Sequence, residues 1–232
     1  CPDLARGASA PEPPDTRFGT LVAPGVLAPN HQHFFCARLD LDVDGPTNSV
    51  LELEARAAPR ADDASGVAFQ ITRTLLETEG AARRDVAATL GRRWRVFNPT
   101  APTSLGHLPG FALVPGENAV ALQAADAAVR RRAGFVEHHL WVTRYRPDEL
   151  HASGDHPSQA NHTDGVARYA ADDEPLVGED VVVWYTFGVS HGPRVEEWPV
   201  MSAHRTGFRL VPHGFFTRNP ALDVPPPVNV GR

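Results

Sequence analysis

The most apolar stretch of the chain is VVVWYTF, Val181–Phe187. β-Branched and aromatic side chains fill it, the composition of a strand and not of a helix. Its longest unbroken apolar run, Val181–Tyr185, is far short of the ~18 residues that a membrane helix needs, and it is expected to be the most buried strand of the fold. Working outward, the same signal recurs at His33–Leu41, Val67–Leu76, Trp94–Phe97, Phe111–Val114, Leu140–Tyr145 and Phe208–Val211. At Asn48–Ala55, Val50, Leu51 and Leu53 are interleaved with Glu52 and Glu54, the pattern of a half-buried strand. Helical signal is thin: Asp85–Leu90 is long enough for one turn, and Ala121–Arg132 has helix-favouring composition without an apolar stripe. The 232 residues include 19 glycines and 22 prolines, well above the usual combined share of about 12%. Many short strands cut by turns, with no fixed repeat, predict an all-β fold, an antiparallel β-sandwich in one domain. Residues 1–17, rich in proline and alanine, read as a linker or tail, 18–225 as the domain, and 226–232 as a second tail.

Composition removes several functions. All 22 basic residues are arginine, so no lysine Schiff base can form within this chain. The net charge is −6 and the arginines are scattered, which speaks against nucleic acid as a partner, and no run is suited to a membrane. Two cysteines, Cys1 and Cys36, make no disulfide framework, so a reducing, cytoplasmic setting is expected. The chain lacks G-x-S-x-G, a P-loop, G-x-G-x-x-G and H-E-x-x-H.

Three clusters remain. In Asn30-His31-Gln32-His33, a strand would project His31 and His33 to one face, where two imidazoles reach a single metal ion. The same spacing also fits two polar residues on a solvent-facing edge. Asp40, Asp42 and Asp44 open like an EF-hand loop, but Leu51 stands where that loop needs glutamate. These carboxylates suit either a bound cation or a solvated strand end. Trp184–Pro220 holds His191, His204 and His213, any of which could complete a metal site, and spacing does not choose among them. His138 and His139 are adjacent, and a strand would turn them to opposite faces, away from a common site. His107, His151, His156 and His162 fall in loops and read as solvent-exposed.

Four segments together carry a family likeness: LVAPGVLAPNHQHFFCARLDLDVDGPTNSV (Leu21–Val50), LWVTRYRPDEL (Leu140–Leu150), VVVWYTFGVSHGPRVEEWPVM (Val181–Met201) and GFRLVPHGFFTRNPALDVP (Gly207–Pro225). From about Phe18 to Pro225 the chain resembles the C-terminal part of the catalytic domain of copper-containing, topaquinone-dependent primary amine oxidases. The resemblance implies that domain's β-sandwich, incomplete at its N-terminal side. It also implies copper(II) held by His31, His33 and His191, with Met201 beside the metal and not bound to it. A second cation, calcium or manganese, would be held by the side chains of Asp40, Asp42 and Asp180 and the carbonyls of Leu41 and Val181. The reaction implied is oxidative deamination of a primary amine by molecular oxygen, giving aldehyde, ammonia and hydrogen peroxide, in an enzyme that is a homodimer.

One departure shapes this expectation. The family builds topaquinone from a tyrosine in an Asn-Tyr-Asp/Glu-Tyr motif upstream of His-Gln-His. Here Tyr145, Tyr169 and Tyr185 are the only tyrosines, none follows asparagine, and all lie downstream of His33. The family's aspartate base also lies upstream, so this chain is expected to supply the copper site as a fragment, without a catalytic residue of its own. The alternatives are a non-catalytic copper-binding remnant and a three-histidine zinc site activating water for hydrolysis.

Overall fold

A computed structural model describes residues 15–158 and 164–226; the tail expectations for 1–17 and 226–232, Cys1 and His162 lie wholly or mostly outside them. The strands are β1 (Gly19–Ala23), β2 (Val26–Pro29), β3 (His31–Asp40), β4 (Ser49–Ala57), β5 (Phe69–Leu75), β6 (Arg93–Phe97), β7 (Gly110–Pro115), β8 (Leu140–Arg144), β9 (Val181–His191) and β10 (Phe208–His213). Two short helices, α1 (Ala128–Arg132) and α2 (Val166–Tyr169), complete the regular structure with a few 3₁₀ turns. Every strand pair is antiparallel. A five-stranded sheet in the order β10-β7-β6-β4-β5 faces a three-stranded sheet in the order β3-β9-β8, and β1-β2 forms a separate hairpin. The structure is the expected antiparallel β fold.

β9 explains why the two sheets meet. Val181, Val183 and Tyr185 point into the core between the sheets, against Val50, Trp94, Val96 and Leu113. Val182 and Trp184, on the other face, pack with Trp141, Val166 and Ala170. Side chains alternate along a strand, so a run without polar gaps has to be covered twice, and α2 supplies the second cover. The Trp184 indole N–H donates to Thr143 Oγ1 at 3.0 Å, satisfying its buried polar atom.

The structure departs from the sequence expectations at the weakest signals. β1 and β2 were not anticipated, because a four- or five-residue strand around Pro24-Gly25 offers too few positions for a period. Over Ala121–Arg132 only the last five residues are helical; the preceding loop is held by side-chain hydrogen bonds instead. β9 runs to His191, past the predicted end at Phe187, and so brings that histidine onto the ladder. His138 and His139 also differ: their Nδ1 atoms both reach Asp85, at 3.1 and 2.9 Å. They lie just before β8 and not within it, so strand alternation does not separate them.

Buried charge appears in two places away from the ladder. Glu52 is paired with Arg84 and accepts the Trp94 indole N–H at 3.0 Å. Glu79 is 1% exposed and accepts the backbone N–H groups of Arg144 and Glu174 at 3.0 and 3.2 Å. Burial, with Asp172 alongside, raises its carboxyl from 4.5 to about 7. A raised carboxyl pKa means the folded state keeps a proton that the unfolded state releases. The contribution of Glu79 to stability is therefore full below about 4.5 and is lost as pH rises from there to about 7. Glu79→Gln is expected to flatten that part of a melting temperature against pH curve; an unchanged slope would contradict the assignment.

Candidate metal centre

The β3–β9 register builds the centre. His31 lies directly opposite His191, and His33 follows two residues along β3, opposite Val189. Directly opposed residues have Cβ atoms about 5 Å apart, and i and i+2 share a face. Three imidazoles therefore gather at one end of one strand pair. The ring centre of His31 is 4.9 Å from that of His33 and 4.9 Å from that of His191.

Hydrogen bonds select the free nitrogens. His31 Nδ1 lies 2.9 Å from the Pro29 carbonyl, an acceptor only, so Nδ1 carries the proton and Nε2 presents its lone pair. His191 Nε2 lies 2.8 Å from Glu197 Oε2, which leaves Nδ1 as the free nitrogen. The two free nitrogens face each other at 3.3 Å. Two lone pairs so aimed repel unless a cation lies between them. Two imidazoles on one ion at about 2.0–2.1 Å would stand about 2.8–3.4 Å apart, so the His31–His191 pair fits a transition metal of the copper or zinc type; the three ligand atoms that lie within 4.8 Å of one another here are those of His191, Glu197 and His204.

Glu197 is the part the sequence did not reveal. It is 8% exposed and also accepts from the Arg194 backbone N–H at 2.9 Å and Ser202 Oγ at 3.1 Å. The Arg194 N–H first, then His191, pull its carboxyl down to about 2, so it stays ionised and holds His191 in one tautomer. The signal available in advance was a carboxylate six residues after His191, and nothing in the spacing marked it against its neighbour Glu196.

The other candidates sort by position. His204 packs on His191 with ring centres 4.5 Å apart, and its Nε2 is 3.6 Å from Glu197. Met201 lines the cavity beside the histidines together with His33, His191 and His204. His213 sits at the far end of β10, opposite Gly110, away from the cluster. None of the three tyrosines lines the cavities at these histidines. Tyr185 is fully buried in the core, its hydroxyl pushed up to about 12 by burial.

At the opposite end of the same ladder, Asp40, Asp42 and Asp180 bring carboxylate oxygens within 4.8 Å of one another. Asp40 ends β3, and Asp180 immediately precedes β9. Burial, then the charges of Asp40 and Asp42, raise the Asp180 carboxyl, and Arg38 offsets part of this from 3.3 Å on Asp40. Such an oxygen cluster suits a hard cation. The Leu41 carbonyl accepts the Val43 N–H at 3.2 Å and lies in the connecting loop, while Val181 is paired with Arg144 at the start of β9.

Close packing pins the ladder. A Cβ on Gly188 would collide with the His33 carbonyl and the Phe34 ring. Gly188→Ala is therefore expected to push β3 from β9 at the histidine end, lowering stability by about 1–3 kcal/mol. A denaturant midpoint unchanged from the parent would contradict this.

The family model for the copper amine oxidase enzyme domain matches residues 5–231. Histamine oxidase of Arthrobacter globiformis is 44% identical over 212 residues, covering 91% of this chain and 31% of that protein. The copper-containing diamine oxidase 1 of Nicotiana tabacum, described as peroxisomal, is 42% identical, covering 91% and 28%. Among solved structures, a copper-containing benzylamine oxidase from Hansenula polymorpha superposes with a TM-score of 0.83 at 32% identity, covering 90% of this chain and 33% of that one. The chain thus spans about a third or less of the proteins it matches.

Proposed function

The chain belongs to the copper amine oxidase family, and from that premise we propose that it forms the copper-binding part of an oxidase acting on primary amines. The observation that carries this reading is the pair of free imidazole nitrogens facing each other at 3.3 Å beside a third histidine. His31, His33 and His191 hold copper(II), and Met201 stays beside the metal as a soft, apolar neighbour. When bound, copper and a topaquinone from a tyrosine outside these residues supply the redox chemistry by which oxygen and amine yield hydrogen peroxide, ammonia and aldehyde.

The chain's own residues do the positioning. The Pro29 carbonyl fixes His31, and the Glu197 carboxylate fixes His191 and adds a negative charge that favours a cation. Asp40, Asp42 and Asp180, with the Leu41 and Val181 carbonyls, hold a calcium or manganese ion that ties the far ends of β3 and β9 together. The full enzyme is a homodimer.

A second reading has one observation in its favour. No tyrosine lines the histidine cavities and none follows asparagine, as in a copper-binding domain without a quinone. Intact mass and N-terminal sequencing of the polypeptide as its host produces it separate the two. A longer chain carrying Asn-Tyr-Asp/Glu-Tyr, with the mass change of an oxidised tyrosine, supports the oxidase. A host polypeptide without that motif overturns it in favour of the copper-binding domain.

A further inference from the structure

The residue between the two histidines of His-Gln-His has no role in the copper reading, yet its side-chain amide is fully engaged. Gln32 Nε2 donates to Ser190 Oγ at 2.7 Å and to the Val120 carbonyl at 2.9 Å. Its Oε1 accepts from the Leu122 N–H and from Gln123 Nε2, both at 3.0 Å. Both amide hydrogens and both lone pairs are used, the full capacity of the group. Ser190 is the cross-strand partner of Gln32 on β9 and immediately precedes His191. Alternation places this pair on the opposite face of the ladder from His31 and His191.

A second amide holds the other end of the same loop. Asn118 Nδ2 donates to Tyr185 Oη at 3.2 Å and to the Thr186 carbonyl at 3.1 Å, and its Oδ1 accepts the Gly188 N–H at 2.9 Å. The loop from Asn118 to Gln123 is thus fastened to β9 by Asn118 and to β3 by Gln32. β3 is one of the two outer strands of its sheet among the described residues.

We propose that Gln32 is a positioning residue: with Asn118 it clasps the 118–123 loop across β3 and β9 and so fixes the separation of the facing nitrogens of His31 and His191. The inference rests on the copper reading, but it concerns the face turned away from the metal. A fixed pair of ligands binds an ion more tightly than a pair that must first be ordered. Outer residues that orient ligands typically contribute about 10–100-fold in metal affinity.

The test uses the polypeptide as its host produces it, stripped of metal and titrated with Cu(II), in parent, Gln32→Leu, Gln32→Glu and Ser190→Ala forms. Circular dichroism confirms that each is folded. Gln32→Leu is expected to bind Cu(II) about 10-fold or more weakly and to broaden the copper hyperfine lines as ligand geometry spreads. Gln32→Glu keeps the two acceptor contacts and loses the contact with Val120, and should fall between parent and Gln32→Leu. In the metal-free protein the Leu122 amide should exchange its hydrogen about 10-fold faster in Gln32→Leu. Should Gln32→Leu not fold, Gln32→Glu and Ser190→Ala carry the same readings. A parent that binds Cu(II) through imidazole, with folded variants of unchanged affinity and spectrum, overturns the clasp. A parent without imidazole-bound copper overturns the copper reading instead.

Discussion

His191→Ala is expected to weaken copper binding by more than about 100-fold, since loss of a ligand should exceed the 10–100-fold typical of an outer-shell partner. The change removes one of the two nitrogens that face each other across 3.3 Å. It also strands the Glu197 carboxylate, which loses its imidazole partner while remaining 8% exposed. The comparison is His213→Ala, on the far end of β10, which should leave copper affinity unchanged. A competitive chelator titration measures both. Equal affinities for the parent and His191→Ala would remove His191 from the site, and a loss confined to His213→Ala would move the site elsewhere.

Trp184→Ala is expected to cost about 3–5 kcal/mol, the usual range for deleting a buried tryptophan. Trp184 is 1% exposed, packs with Trp141 and Val182, and donates to Thr143 from its indole. The alanine would leave a cavity beneath α2 and an unpaired Thr143 hydroxyl. For a chain of this size each kcal/mol moves the melting temperature by about 2–4 °C, so a fall on the order of 10 °C is predicted by calorimetry. A shift under about 2 °C would mean that α2 collapses onto β9 at no cost, and that the second cover of β9 does not stabilise the fold. Because β9 ends in His191 and begins beside Asp180, copper affinity should fall in the same variant.

Much of this architecture was legible in the residues. Five apolar residues in a row, Val181–Tyr185, suffice to mark β9. The apolar positions of Asn48–Ala55 likewise mark β4, although Glu52 and Glu54 are buried with Val50 and Leu53 and do not form a solvent face, and the His-x-His spacing puts two imidazoles on one face by strand alternation. What the residues withheld was pairing. No rule of spacing says that His31 faces His191, with 160 residues between them; the likeness to a family selected it over His204 and His213, and the register then showed the geometry. Glu197 and Gln32 were invisible for the same reason. Each acts through a hydrogen bond whose partner is set by packing, and a carboxylate or an amide in sequence looks the same whether it is solvated or fully engaged. The adjacent His138 and His139 mark the converse error, in which strand alternation was applied just outside a strand.

The number of imidazoles at the metal decides whether the β3–β9 ladder holds copper. Pulsed electron paramagnetic resonance on the Cu(II)-loaded polypeptide, as its host produces it, counts the imidazole nitrogens coupled to the ion. Three, falling to two in His33→Ala, is the predicted result. Copper that couples to fewer in the parent, or a spectrum unmoved by loss of His31, His33 or His191, would contradict the proposal that the β3–β9 ladder holds it.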